Sequence, residues 1–257
     1  MVNQIRKSKK LCSLICFALI LGAFIPAISI AFARKPGRGP LEKIVYIHYK
    51  KGHAKPPGTP GKGPDKDDGG EDEGYYKLLG AKWKTLPVTY YIDPTGSGLE
   101  KNFVASAISA SAEEWDSWTS SELFSDAYEV VYDGSWDDTS DELDGRNELV
   151  FGDYPEDGVI AVCIVWGYFR GASGKGEIVE FDIMFDTDYI WGDAELDPML
   201  MDLQNIATHE FGHGVGLADL YDSSASEETM YGYSYNGDIK KRDLYFGDIA
   251  GIQELYG

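Results

Sequence analysis

The chain has few histidines, few cysteines and, in its C-terminal part, few positive charges. Of its 257 residues, four are histidine and three are cysteine. From Gly80 onward, nine lysines and arginines stand against 36 aspartates and glutamates, a net charge of about −27. Such a surface repels phosphate, which excludes nucleic acid and anionic membrane surfaces as partners. The acidity is explained either by a solvated surface or by carboxylates gathered to bind Ca²⁺, which prefers oxygen ligands.

The N-terminus has the layout of a secretory signal peptide. A basic run at residues 6–10 precedes an apolar stretch at residues 11–32, which ends in Ala31-Phe32-Ala33. About 20 apolar residues would also suffice for an uncleaved membrane anchor. Pro26 and the small-x-small ending favour cleavage. We therefore expect residues 1–33 to be removed, the protein to be secreted, and no stable membrane association to remain.

Removal of the signal peptide leaves Cys163 as the last cysteine, so no disulfide can form within the mature chain. Cys163 lies in a β-branched apolar run, residues 159–165, which predicts a buried thiol rather than a nucleophile. About 220 residues remain, enough for one domain with a sizeable core.

Residues 34–78 differ in composition from the rest of the mature chain. The stretch 56–74 is rich in proline and glycine and reads as a linker, whereas residues 44–49 could form a short strand. The sequence does not choose between a linker, a propeptide, a tail and a substrate-like plug. Residues 79–257 have globular composition and are expected to form the folded domain.

The order of elements in residues 79–257 predicts an α/β fold. A strand at 87–92 is followed by an amphipathic helix and then by strands at 130–132, 148–151, 159–166 and 178–185. The last strand alternates apolar and polar residues, as a half-buried strand does. Two further helices come after it, so a mixed sheet packed on helices is expected. The helix face comprises Phe103, Ile108, Ala112, Trp115 and Trp118.

Two acidic clusters could hold Ca²⁺. One is the loop 133–147 and the other is Asp182, Asp186 and Asp188. Neither spacing matches the twelve-residue EF-hand loop, and a solvated acidic loop explains both equally well.

The segment 197–219 contains the pattern expected of a metal-binding helix. Asp197 and Pro198 are suited to the N-cap and first turn, which predicts a helix from this point. His209 and His213 are four residues apart and share a face, so both imidazoles can bind one ion. Glu210 is offset by about 100°, beside the metal, where a base can take a proton from a metal-bound water.

A catalytic zinc usually takes three protein ligands, and no histidine follows the helix. In a continuing helix Asp219 would point away from the metal. Gly216 can adopt a positive φ and end the helix, after which three residues span up to about 10 Å. Asp219 is therefore the expected third ligand of Zn²⁺.

The string His209-Glu210-x-x-His213-x-x-Gly216-x-x-Asp219 resembles the extended zinc motif of the metzincin peptidases. Residues 228–231 resemble the Met-turn of that clan, with Met230 as an apolar floor beneath the metal. Residues 247–257 resemble the closing helix of the matrixins, and residues 86–90 their opening strand. The resemblance implies a twisted mixed sheet with an N-terminal helix, an active-site helix and a C-terminal helix. It also implies a zinc endopeptidase whose substrate pairs with the strand edge at residues 160–165.

Three features depart from the matrixin pattern. The third ligand is Asp219 rather than histidine, as in the snapalysins; the strand region has no histidines for a second zinc; and residues 34–78 have no cysteine to block the metal. His48 or His53 could occupy the metal in its place, but linker histidines are usually exposed and without a role. Trimming of residues 34–78 is accordingly not expected to lower activity.

Two other functions fit parts of the sequence. One is a secreted acidic calcium-binding protein with a vestigial peptidase core, and the other is a zinc hydrolase that acts on a non-peptide bond. The intact Glu210 favours an enzyme over the first alternative. The partners expected of a peptidase are protein or peptide substrates, and the chain is expected to be monomeric.

Overall fold

The structure is a computed structural model that describes residues 39–53, 75–136, 143–169 and 176–257. All of these residues belong to one compact unit, Pro36–Gly257. The expected signal peptide at residues 1–33 and most of the proline- and glycine-rich stretch lie outside the described residues. Both that prediction and the domain boundary at residue 79 stay predictions.

The described residues form ten strands, of which eight build one mixed sheet. The four longest are β1, β5, β6 and β7. The strands are β1 Glu42–Lys50, β2 Ala81–Lys82, β3 Tyr91–Ile92, β4 Glu129–Val130, β5 Glu148–Gly152, β6 Val159–Tyr168, β7 Gly176–Asp186, β8 Trp191–Gly192, β9 Met201–Asp202 and β10 Tyr233–Ser234.

The sheet runs in the order β10-β1-β6-β7-β5-β3-β4, with β2 beside β7. Strands β7, β5, β3 and β4 are parallel to one another, and β6 is antiparallel to β7. Strands β8 and β9 form a separate pair. The predicted mixed sheet is confirmed, and the strands predicted at 44–49, 148–151, 159–166 and 178–185 lie within two residues of the observed bounds. The strand predicted at 87–92 is shorter, since only Tyr91–Ile92 form β3 and Val88 makes an isolated bridge to Phe124.

Strand β1 is the short strand expected at residues 44–49, but it is part of the main sheet. It pairs antiparallel with β6 along its whole length and parallel with β10 through Tyr49 and Lys50. The edge of β6 that a substrate was expected to occupy is therefore covered by β1.

Three α-helices accompany the sheet in the described residues: α1 Lys101–Asp116, α2 Leu203–Val215 and α3 Phe246–Tyr256. Helices α1 and α2 are joined by the Trp115 indole, whose Nε1 donates to Thr208 O at 2.8 Å. Trp118 was wrongly assigned to the buried face of α1, since the helix ends at Asp116 and Trp118 is 40% exposed.

The prediction that α2 begins at Asp197 is wrong. Asp197 and Pro198 form a turn, in which the Asp197 side chain accepts from Met199 N. Residues 201–202 then pair with β8, so the chain is extended until Asp202 caps the helix by accepting from Asn205 N at 2.8 Å. The pairing of β9 delays the helix by five residues.

Apolar residues cover both faces of the sheet. The larger cluster, between the sheet and the helices, includes Trp115, Phe181 and Phe211, and the smaller one on the other face includes Val162 and Met184. Strand β7 is therefore not half-buried as predicted. Its acidic residues Glu180, Asp182 and Asp186 are each 1% exposed, and the chain before β5 reaches this strand, where Gly145 N donates to Glu180 Oε2 at 2.7 Å. No helix among the described residues has the length and apolarity needed to cross a membrane.

Candidate metal centre

His209 and His213 project from the same face of α2, one turn apart. Their rings are 4.9 Å apart and nearly perpendicular. Both side chains are buried, with relative exposures of 0% and 1%. The i, i+4 spacing thus produces the paired imidazoles that the sequence predicts.

Gly216 ends α2 and returns the chain to these histidines. Its φ of 112° lies in the left-handed region, and its N–H donates to the carbonyls of Gly212 and His213. Three residues later, Asp219 Oδ1 lies 3.2 Å from His209 Nε2 and 3.4 Å from His213 Nε2. One ligand atom from each of the three residues lies within 4.8 Å of the others.

The donor atoms of this cluster fit a metal ion. His209 Nε2 and Asp219 Oδ1 are buried and have no hydrogen-bond partner among the described residues, despite their short separation. Buried polar atoms without partners are costly, and a cation placed between them would remove that cost. Two imidazole nitrogens and a carboxylate oxygen are the ligand types that zinc prefers.

Backbone carbonyls orient both imidazoles. His209 Nδ1 lies 2.7 Å from Thr229 O, and His213 Nδ1 lies 3.0 Å from Leu217 O. A carbonyl only accepts, so Nδ1 carries the proton in each ring and Nε2 presents its lone pair to the centre. Burial lowers the pKa of His209 to about 3, and nearby Lys241 acts in the same direction. This ring is therefore neutral, as a metal ligand must be.

The third ligand candidate, Asp219, is ionised when a positive charge lies beside it. Burial raises its pKa, but positive charge at His213 and His209 outweighs burial and lowers the pKa well below its usual range. With both Nε2 atoms unprotonated, a bound cation would take over that role. Its second oxygen, Oδ2, accepts from Tyr221 Oη at 3.0 Å. The carboxylate is thus fixed with Oδ1 directed at the two histidines.

Glu210 lies beside the cluster rather than in it, as the helical offset predicts. Its carboxylate is fully buried, and burial followed by the charge of Asp219 raises its pKa well above the usual range. One oxygen, Oε1, lies 3.0 Å from Nδ1 of His48, and the other has no hydrogen-bond partner among the described residues. The expectation that His48 is an exposed linker residue is wrong, because β1 carries it into the core at 1% exposure.

Met230 packs directly beneath α2. A Cβ added to Gly212 would lie 2.2 Å from Met230 Sδ, so only glycine allows this approach. The backbone N–H groups of Thr229 and Met230 donate to the Asp248 carboxylate, which ties this turn to α3. The position agrees with the apolar floor that the resemblance implied.

Lys241 is a buried cation beneath the site that the sequence did not reveal. Its Nζ donates to Thr229 O at 2.9 Å and to Tyr231 O, and lies 3.4 Å from His209 Nδ1. Burial lowers its pKa to about 8. It stands within a run of three basic residues that resembles an exposed patch, so no local pattern signals its burial.

The predicted calcium clusters are placed only in part. Asp186 and Asp188 lie together with Asp153, whereas Asp182 instead accepts from Glu148 N at 3.1 Å. Residues 137–142, which carry much of the charge of the other loop, lie outside the described residues. Calcium binding stays a prediction.

The mixed sheet, the α2 histidines and the turn beneath them together define the zincin class of α+β fold. Residues 82–257 match the family model described as Matrixin, and the chain belongs to the matrixin family. It is 30% identical to mouse stromelysin-1 over 178 residues, which is 68% of this chain and 33% of that protein. It is 28% identical to the hatching enzyme of Paracentrotus lividus over 182 residues, 68% of this chain and 26% of that one. Against metalloendoproteinase 4-MMP of Arabidopsis thaliana it is 32% identical over 121 residues, 40% of this chain and 33% of that one.

The chain spans about a third or less of the length of these curated relatives. The matrixin family consists of zinc-dependent metallopeptidases. Membership does not by itself assign Asp219 as a ligand, which depends on the geometry of this chain.

Proposed function

We propose that the chain is a secreted zinc endopeptidase in which His209, His213 and Asp219 bind the metal and Glu210 is the general base. The observation that carries this proposal is the convergence of three buried donor atoms, two of them without other partners, beside a buried carboxylate. The family match supports the same chemistry.

In this proposal each residue has a distinct task. Zinc held by the three ligands would supply Lewis-acid polarisation of the peptide carbonyl and of the attacking water. Glu210 accepts the proton of that water. It then passes the proton to the departing amine. The low polarity around Glu210 keeps the proton within the site.

The substrate is proposed to be an extended peptide. Strand β6 runs past α2, and the edge that faces away from β7 could pair with a peptide backbone through main-chain hydrogen bonds, in the manner of strand addition. The structure has a peptide strand at that edge already, namely β1. Secretion, the monomeric state and bound calcium belong to the proposal as the sequence predicts them.

Hydrolysis of denatured casein by the zinc-loaded chain tests the proposal. The assay is run with and without a chelator, and with Glu210→Gln as the inactive control. Both the intact chain and a chain cut within residues 54–74 are assayed, because β1 lies on β6. Release of peptides that stops with chelator and is absent in the variant is expected. A zinc-loaded chain that cleaves nothing in either form would instead favour the calcium-binding alternative, which no present observation supports.

A further inference from the structure

Strand β1 fills the cleft between β6 and β10. On one side Tyr46, Ile47 and His48 pair with Cys163, Val162 and Ala161 of β6. On the other side Tyr49 and Lys50 pair with β10, and Lys51 N donates to Ser234 O at 2.8 Å. The backbone groups that would hold an extended peptide on both walls are therefore already engaged.

Alternate side chains of β1 point at α2, because successive residues of a strand face opposite ways. Tyr46 and His48 are each 1% exposed, whereas the preceding Val45 is 39% exposed and the intervening Ile47 is partly exposed. The Tyr46 ring stacks on His213 at 3.9 Å with an interplanar angle of 7°. The His48 ring lies 4.0 Å from that of His209. The rings of Tyr46 and His48 thus cover the two histidines of α2.

His48 has the hydrogen-bonding pattern of a metal ligand. Its Nδ1 lies 3.0 Å from Glu210 Oε1, while its Nε2 is buried without a partner among the described residues. When the positive charge of a bound metal keeps Glu210 ionised, its carboxylate only accepts, so in that state the proton lies on His48 Nδ1 and Nε2 carries the lone pair. A histidine that donates to a carboxylate through one nitrogen and binds metal through the other is a common arrangement. His48, His209 and Glu210 each offer a ligand atom within 4.8 Å of the others.

We propose that β1 is a built-in inhibitory strand, and that His48 is a further ligand of the metal which also engages Glu210. The proposal rests on the proposed peptidase function. It assigns to His48 the coordination position that a catalytic zinc otherwise leaves open. The His48 imidazole occupies the position beside Glu210 where the scissile peptide carbonyl of a substrate would lie. An imidazole has no peptide bond to cleave, so the site is blocked. Activation then requires the release of β1.

The first test compares His48→Ala with His53→Ala in the full chain. His53 lies three residues beyond β1 in the same segment, is exposed, and is the matched control. We expect His48→Ala to cleave a small peptide at least about tenfold faster than wild type, because a larger fraction of molecules has an open site. His53→Ala should match wild type.

A cobalt-substituted chain gives a readout that does not depend on activity. Loss of an imidazole ligand changes the visible absorption of Co²⁺, so the spectrum of His48→Ala should differ from wild type and that of His53→Ala should not. If no form of the protein cleaves any substrate but the cobalt spectrum responds to His48→Ala, the peptidase function fails and the ligand assignment stands.

The second test covers the case in which His48→Ala does not fold. A protease site is placed within residues 57–70 of the otherwise native chain, which is folded, loaded with zinc and then cut. Activity should rise on dilution as the N-terminal fragment leaves. A synthetic peptide of residues 39–53 should restore inhibition, and the same peptide with His48→Ala should inhibit at least about tenfold more weakly.

Two results would overturn the proposal. One is equal activity and equal cobalt spectra for wild type and His48→Ala. The other is a cut chain that is as active before dilution as after it, with no inhibition by the added peptide. In either case β1 would be a permanent strand of the sheet rather than an inhibitor.

Discussion

Glu210 is the residue on which the proposed chemistry depends most directly. Replacement by glutamine keeps the size and leaves the three metal ligands untouched, but an amide cannot accept the proton of the attacking water. We expect zinc content and thermal stability close to wild type and a fall in kcat of about 10²–10⁴-fold or more. Metal analysis and peptide hydrolysis measure both. Near-normal turnover would rule out Glu210 as the base.

Asp219 is distinguished from the other acidic residues nearby by its contacts. Asp219→Ala leaves two protein ligands and should lose zinc affinity and activity together. Asp222 is the matched control, because it caps a short 3₁₀ turn by accepting from Ser224 N and does not face the histidines. Asp222→Ala should retain both properties. Equilibrium dialysis against a chelator series distinguishes the two, and metal loss in Asp222→Ala alone would show the assignment to be wrong.

Asp219→His tests how the charge of the site sets its chemistry. A neutral third ligand raises the formal charge of the centre by one, which should make the attacking water more acidic. We expect partial zinc binding and a pH profile of kcat displaced towards lower pH than wild type. A profile that moves upward would contradict this electrostatic account.

The site residues on α2 could be predicted because their geometry is local. The helix fixes the directions in which His209, Glu210 and His213 point. The positive φ of Gly216 then turns the chain so that Asp219 reaches the two histidines. The positions of His48 and Lys241 could not be predicted in this way. His48 contacts Glu210, which is 162 residues away in the chain, and Lys241 contacts His209, which is 32 residues away. Contacts at such separations depend on how distant segments pair, which local residue spacing does not encode.

Gly216 determines where helix α2 ends. At a φ of 112° an alanine is strained, and its Cβ would meet Ala81 O at 2.5 Å. Gly216→Ala should lower the free energy of unfolding by about 1–3 kcal/mol and weaken zinc binding by displacing Asp219. Gly98 also has a positive φ, 72°, but its added Cβ would have nothing within 4 Å.

Gly98→Ala is therefore the control for backbone strain alone. It should lose some stability, measured by urea unfolding, and keep its zinc affinity. Equal loss of zinc affinity in both variants would mean that Gly216 acts only through general stability.

The start of α2 shows why element boundaries are harder to predict than elements. Asp197-Pro198 is a good helix start by local preference, and so is Asp202. The choice is made by β9, which must stay extended to pair with β8. By contrast, β6 and β7 themselves could be predicted, because both contain long runs of β-branched and other apolar residues. The burial of both faces of β7 could not, because it depends on residues far away in the chain.

Across the whole molecule, several carboxyl groups are harder to ionise in the folded chain than in the unfolded chain. Burial raises the pKa of Asp116 to about 6, and burial also raises those of Glu148 and Asp186. Between about pH 4 and 6 these carboxyl groups, together with Glu210 and Asp248, keep protons that the unfolded chain loses, and they outnumber His48 and His209, whose lowered pKa values act in the opposite sense. The free energy of unfolding of the metal-free protein should fall as pH rises through this range. Urea unfolding at several pH values measures it.

Asp116→Asn tests one contribution to this trend. Asp116 Oδ1 accepts from Leu123 N at 2.6 Å, a bond that asparagine retains. The variant should equal wild type near about pH 4 and exceed it by about 1 kcal/mol above about pH 6.5, after allowance for partial exposure. A difference that is independent of pH would contradict the proposed ionisation.

Strand β1 also bears on solubility. Strand β6 is ten residues long and almost wholly buried, with a sequence rich in valine and isoleucine. Without β1 it would present a long apolar edge with unpaired N–H and C=O groups, which is a template for aggregation. Because β1 precedes β6 in the chain, it is synthesised first and is available to cover that edge as folding proceeds. A chain that loses β1 would therefore gain access for substrate and, at the same time, a tendency to self-associate.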